Sequence, residues 1–109
     1  MHIDTKYNIG DKVLVYDYWD YIVQASIFSI SVEISREFET SIIYKVRFDN
    51  GKFEQFYEAS VYANIQEVIT KEEKKEQTEI RLTNEGYNDK IDAIKERYAK
   101  KYKYLKSKL

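Results

Sequence analysis

Tyr21-Ile22-Val23-Gln24-Ala25-Ser26-Ile27-Phe28-Ser29-Ile30-Ser31-Val32-Glu33-Ile34 is the stretch on which the fold turns. In its first half the apolar residues stand at odd positions, Val23, Ala25 and Ile27, with Gln24 and Ser26 between them. From Phe28 onward they stand at even positions, Phe28, Ile30, Val32 and Ile34, separated by serines and Glu33. Period-two alternation marks a strand with one buried face. A one-residue slip turns the buried set outward unless an extra residue bulges and the strand bends. The stretch therefore predicts one long bent strand, of the kind that curls a short sheet into a small barrel.

The flanks supply the other strands. Ile9-Gly10-Asp11 is a turn leading into Lys12–Tyr16, and Asp17-Tyr18-Trp19-Asp20 follows as an aromatic loop. Residues 35–40 are polar and read as a turn. Residues 41–48 alternate again, with Ile42, Tyr44, Val46 and Phe48 on one face and Lys45 and Arg47 on the other. Asn50-Gly51 predicts a type I′ hairpin, in which both residues accept positive φ. Residues 53–57 return along that hairpin, Glu58-Ala59-Ser60 is a short helical turn, and residues 61–65 are the expected fifth strand.

Beyond residue 68 the pattern changes. Thr70-Lys71-Glu72-Glu73 fits a capping box, and the helix it opens, Lys71 to about Gln77, shows no apolar face and reads as a solvated link. After a break at Asn84-Glu85-Gly86, Tyr87, Ile91, Ile94, Tyr98, Tyr102, Leu105 and Leu109 recur at steps of three and four. That is the spacing of a nearly straight amphipathic helix, about 30 Å long. The stripe is expected to pack on the barrel, to pair two chains as a homodimer, or to meet a partner. The fold class expected is α+β, mainly β: a five-stranded barrel over 1–68 and a helical arm over 69–109, made of a charged link (70–86) and an amphipathic helix (87–109).

Composition limits what such a chain can do. Among 109 residues there are eleven tyrosines, no cysteine and one histidine, His2. Disulfides, thiolate metal sites and histidine-based triads are thereby excluded. Three isolated glycines form no phosphate loop, and no carboxylates align as an acid/base pair, so no enzyme, metal or cofactor is expected. The start lacks the apolar run of a signal peptide and no stretch reaches membrane-spanning length, which predicts a cytoplasmic protein. The richness in Lys over Arg, Ile, Tyr and Asn is the bias of an AT-rich coding sequence, as in low-GC bacteria or their phages. Charge is uneven: residues 1–68 carry six Lys/Arg against eleven Asp/Glu, and residues 69–109 carry twelve against eight. Such asymmetry points to an electrostatically steered partner.

Two groups of residues are candidates for function. The first is Tyr16, Asp17, Tyr18, Trp19, Asp20, Tyr21, Phe48 and Asn50, expected together at one barrel end. Converging rings beside carboxylates attract cations, so this end would take a basic surface of a partner protein. The second is the basic, tyrosine-interleaved arm, with Arg97, Lys100, Lys101 and Lys103 as candidate phosphate contacts,.

Residues 9–15 (Ile-Gly-Asp-Lys-Val-Leu-Val), Gln24-Ala25-Ser26-Ile27, and residues 44–51 (Tyr-Lys-Val-Arg-Phe-Asp-Asn-Gly) followed by Glu54 together resemble a Tudor-type, SH3-like small barrel over about residues 7–66. The resemblance implies a non-catalytic binding module, often for methylated lysine or arginine peptides and sometimes for nucleic acid. Methyl-reading members usually carry an aromatic just before the residues matching Gln24-Ala25; here that position is Val23. The expectation is a small protein-binding regulator or inhibitor, encoded by a phage or mobile element. The alternative is a nucleic-acid-associated protein that grips phosphates through its C-terminal helix.

Overall fold

The computed structural model describes residues 4–37, 39–83 and 88–109. It is an α+β fold with four strands and two helices: β1 (Lys12–Tyr16), β2 (Ile22–Ile34), β3 (Thr40–Phe48), β4 (Phe53–Tyr57), a 3-10 turn (Glu58–Ser60), α1 (Ile65–Leu82) and α2 (Asn88–Lys106). The chain divides into two compact units, Met1–Ala63 and Asn64–Leu109.

In the first unit the strands form one antiparallel sheet in the order β1-β2-β3-β4. The slip in β2 is a bulge: Ile27 pairs with Val46 and Ser29 with Lys45, leaving Phe28 as the extra residue. Before the bulge, Ala25 and Ile27 face a core shared with Tyr7, Val13, Val15, Tyr44, Val46 and Val61. After it, only Ile30 packs against that core. Phe28 is 52% exposed, and Val32 and Ile34 are exposed as well, against the expectation of a buried even-numbered set. The register gives the reason. β1 pairs with β2 only as far as Ser26, and β4 ends opposite Ile43, so the far end of the β2–β3 hairpin extends past both edge strands.

Of the five strands expected, four form an open antiparallel sheet, β1-β2-β3-β4. Where the fifth strand was expected, Tyr62 makes an isolated bridge, donating to and accepting from Leu14 at 2.9 and 2.7 Å. Residue 65 already belongs to a helix. Glu58, opening the 3-10 turn, ties the chain ends of this unit together. Its Oε2 accepts from the Lys6 amide at 3.1 Å and from the Tyr44 hydroxyl. That hydroxyl in turn accepts from the Tyr7 amide at 3.2 Å.

The Asn50-Gly51 turn also differs from expectation. Gly51 N donates to Phe48 O and Phe48 N donates to Lys52 O, both at 2.9 Å, which closes a three-residue loop of Asp49, Asn50 and Gly51. Among the described residues with a side chain only Asp20 has positive φ, so Asn50 does not adopt the type I′ conformation. Gly51, at φ 83°, supplies the one left-handed residue that a three-residue hairpin needs,.

The β1–β2 hairpin repeats this geometry. Asp20 N donates to Asp17 O at 3.1 Å and Asp17 N to Tyr21 O at 2.9 Å, with Asp20 at φ 62°. A left-handed conformation costs a residue with a Cβ about 1–2 kcal/mol, and Asp less than most. The two loops should therefore respond with opposite signs. Gly51→Ala is expected to lower stability by about 1 kcal/mol, purely through the backbone, since nothing lies within 4 Å of the added methyl,. Asp20→Gly is expected to be neutral or to raise stability by up to about 0.5 kcal/mol. Urea midpoints of the two variants check this. A Gly51→Ala protein as stable as the parent would remove the left-handed assignment.

The second unit corrects the reading of the arm. Residues 70–77 are not a solvated link but the middle of α1, an 18-residue helix. Its N-cap is Asn64, whose Oδ1 accepts from the Glu67 amide at 3.0 Å, and not Thr70. The Asn64…Glu67 pair offers the same cap-and-acid spacing six residues earlier. Val68, Ile69 and Glu72 are buried, and α1 and α2 pack against each other. Of the predicted stripe on α2, Tyr98 and Leu105 are buried and Ile91, Ile94 and Tyr102 half-buried, whereas Leu109 is exposed. Tyr87, the 84–86 break and His2 lie outside the described residues.

Candidate functional site

The two matching hairpin loops stand side by side and enclose a cleft of about 600 Å³. From the β1–β2 loop come Asp17, Tyr18 and Trp19. From the β3–β4 hairpin come Phe48, Asp49, Asn50, Lys52, Phe53 and Glu54, and Val23 and Gln24 of β2 complete the lining. The loops are held from within by their own polar side chains. Asp17 Oδ1 accepts from the amides of Trp19 (2.8 Å) and Tyr21 (2.9 Å), and Asn50 Oδ1 accepts from the Lys52 amide (2.9 Å). Such Asx turns fix the tip without a proline. The Trp19 ring stands perpendicular to that of Tyr18, centroids 5.1 Å apart, and is 73% exposed.

Of the eight residues expected at this end, the cleft brings together Asp17, Tyr18, Trp19, Phe48 and Asn50. Tyr16 is half-buried with its ring edge-on to Tyr62 at 6.2 Å. Asp20 and Tyr21 are exposed on the loop and do not line the cleft. Sequence reasoning missed the return strand, above all Phe53 and Glu54. The cross-strand pairs Arg47↔Phe53 and Val46↔Glu54 place both beside the turn, but only a three-residue loop gives that register. Three carboxylates against one lysine, between aromatic walls, make a site suited to a cation held by charge and by ring faces. Among the described residues no group of three or more His, Cys, Asp or Glu could hold a metal ion. Also among them, no helix is long and apolar enough to cross a membrane.

The four candidate phosphate contacts divide into two pairs. Arg97 donates to Glu79 of α1, and Lys101 Nζ lies 3.0 Å from Glu72 Oε2. The Arg97 guanidinium, hydrogen-bonded to Glu79, holds that carboxyl below its usual range, and the Arg97 pKa rises in turn. Lys100 and Lys103 are exposed on α2. Half of the expected cationic surface is thus used inside the helical unit. Comparison with known proteins finds no matching family model, no matching curated protein and no matching solved structure.

Proposed function

We propose that this chain is a non-catalytic binding module, a small cytoplasmic regulator or inhibitor of the kind phages and mobile elements encode, and that the cleft between its hairpin tips captures a cationic segment of a partner protein. The observation that carries the reading is the convergence of Tyr18, Trp19, Phe48 and Phe53 with Asp17, Asp49 and Glu54 on one cleft. An SH3-like, Tudor-type barrel is part of the same proposal. The 3-10 turn and the two-bond bridge between Leu14 and Tyr62 support it, since a short strand beside β1 is what would close the sheet.

Exposed tryptophans at binding surfaces concentrate binding energy. Trp19→Ala is expected to leave the circular dichroism spectrum unchanged and to weaken binding of Lys/Arg-rich peptides by roughly 30-fold, about 2 kcal/mol. Isothermal titration with matched cationic and acidic synthetic peptides measures this. Equal affinity for both peptides, or a cationic peptide bound as well by the Trp19→Ala protein, would sink the reading. Binding of a nucleic-acid probe that is lost only with Lys100 and Lys103 would move the function to the arm.

A further inference from the structure

The first unit is acidic as a whole, with ten Asp/Glu against six Lys/Arg over residues 1–63, yet one of its surfaces is not. The strand register lays out the outer face of the sheet in rows. Lys12, Ser26, Arg47 and Phe53 are cross-strand neighbours in the first; Ser29, Lys45 and Gln55 form the second; Ser31, Ile43 and Tyr57 form the third. Phe28, displaced by the bulge, joins them, its ring 4.8 Å from that of Phe53, with Lys45 Nζ over both rings at 5.8 and 5.2 Å. No carboxylate occupies any of these rows; the first acid on the face is Glu33, one row further on. Phe53 and Tyr57 are 45% and 58% exposed, and Lys12 and Arg47 are exposed and form no ion pair among the described residues.

We propose that this outer sheet face binds single-stranded nucleic acid, stacking bases on Phe28, Phe53 and Tyr57 while Lys12, Lys45 and Arg47 neutralise phosphates. Sheet geometry gives the patch a width of about 14 Å over three strand spacings and a length of about 13 Å from residue 53 to residue 57. That area accommodates a few unpaired nucleotides. Solvent-facing rings interleaved with cations are the elements that single strands need: ring faces that any base can stack on, and positive charge tracking the backbone. An acidic peptide would use the cations but leave three large rings without a matching plane, so the ring content favours nucleic acid. With no acid in the three rows, the patch itself is cationic although the unit as a whole is acidic. The site is separate from the proposed function, although Phe53 borders both surfaces; its test therefore relies on Arg47, Lys45 and Tyr57, which do not line the cleft.

The test is fluorescence anisotropy of the full chain with labelled 15-nucleotide oligo-dT and oligo-U, alongside a 15-base-pair duplex and a poly-glutamate peptide. Both single strands should bind more tightly than the duplex, with log affinity falling against log salt at a slope near −2, for about three contacts at roughly 0.7 each. Tyr57→Ala should weaken binding at least fivefold. Lys45→Gln/Arg47→Gln should weaken it further and flatten the slope by about 1.4. Trp19→Ala should change nothing. The proposal is overturned if poly-glutamate binds as well as oligo-dT, if neither oligonucleotide binds at low salt, or if Tyr57→Ala is silent. It is equally overturned if affinity disappears with Lys100→Gln/Lys103→Gln and not with the sheet variants.

Discussion

Replacing Lys101 with methionine is expected to destabilise the helical unit by about 3 kcal/mol, whereas replacing its partner Glu72 with leucine should be close to neutral. Glu72 is 1% exposed in the middle of α1. Its two carboxylate oxygens meet Lys101 Nζ at 3.0 Å and Lys75 Nζ at 3.4 Å. Removing one partner of a buried ion pair typically costs 3–5 kcal/mol, because the remaining charge stays desolvated without compensation. The low end applies here, since Lys75 remains one helical turn away on the same helix. Taking out the acid instead removes the desolvation penalty along with the attraction, and a leucine of similar volume fits a buried helix face. Lys101, already partly exposed, then extends to water. Denaturant melts of the two single variants decide the matter. A Lys101→Met protein no less stable than Glu72→Leu would mean that the pair contributes nothing to the packing of α1 on α2.

That pair also explains why half of the molecule was hard to read from its sequence. The inward face of α1 runs Ile65, Val68, Ile69, Glu72, Glu76, Glu79 and Ile80, a regular helical stripe whose middle is acidic. By apolar periodicity alone that segment has no face and resembles a solvated link. The matching signal lies on α2, where Arg97, Lys101 and Tyr102 pair with Glu79, Glu72 and Glu76. Neither helix shows the pattern alone; it exists only when the two are laid side by side.

The sheet was easier to read because its signal is local. The phase slip in β2 identified the bulge to within a residue, but not the direction the extra side chain would take. Phe28 turns outward because Phe53 and Lys45 receive it there, a contact set by the register of β4. The turn at Asn50-Gly51 shows the same limit at smaller scale. A two-residue and a three-residue loop both place Gly51 at positive φ and differ only in Asn50, so the dipeptide alone cannot choose between them. That choice mattered for the site. The first hairpin's aromatic tip was legible as Tyr18-Trp19, whereas the opposing wall of Phe53 and Glu54 depended on the longer loop.

The high tyrosine content has a structural use beyond filling a core, and it leads to the largest expected effect, in alkali. Tyr44 is held above its ordinary pKa of 10.0 first by burial and then by its hydrogen bond to Glu58. Tyr98 is raised by burial and then by the Glu79 carboxylate, and Tyr102 by burial and then by Glu76. The Tyr44 and Tyr102 phenols donate to carboxylates and Tyr98 feels the charge of Glu79, so ionising any of the three would place a second negative charge beside a first,. The unfolded chain has no such constraint and ionises its tyrosines near pH 10. The stability these groups contribute is therefore complete below pH 10 and is lost as pH rises toward the elevated folded values. Each contributes a slope of at most about 1.4 kcal/mol per pH unit, so the three together remove up to about 4 kcal/mol per unit above pH 10. Other ionising groups add a background that cancels when variants are compared. Urea denaturation of the parent and of Tyr102→Phe between pH 7 and 11.5 isolates one contribution. The variant should be the less stable at pH 7, because Glu76 loses its donor, and should lose stability less steeply above pH 10 by about one third of the three-tyrosine slope. Parallel pH profiles for the two proteins would show that the Tyr102–Glu76 hydrogen bond does not hold that phenol neutral.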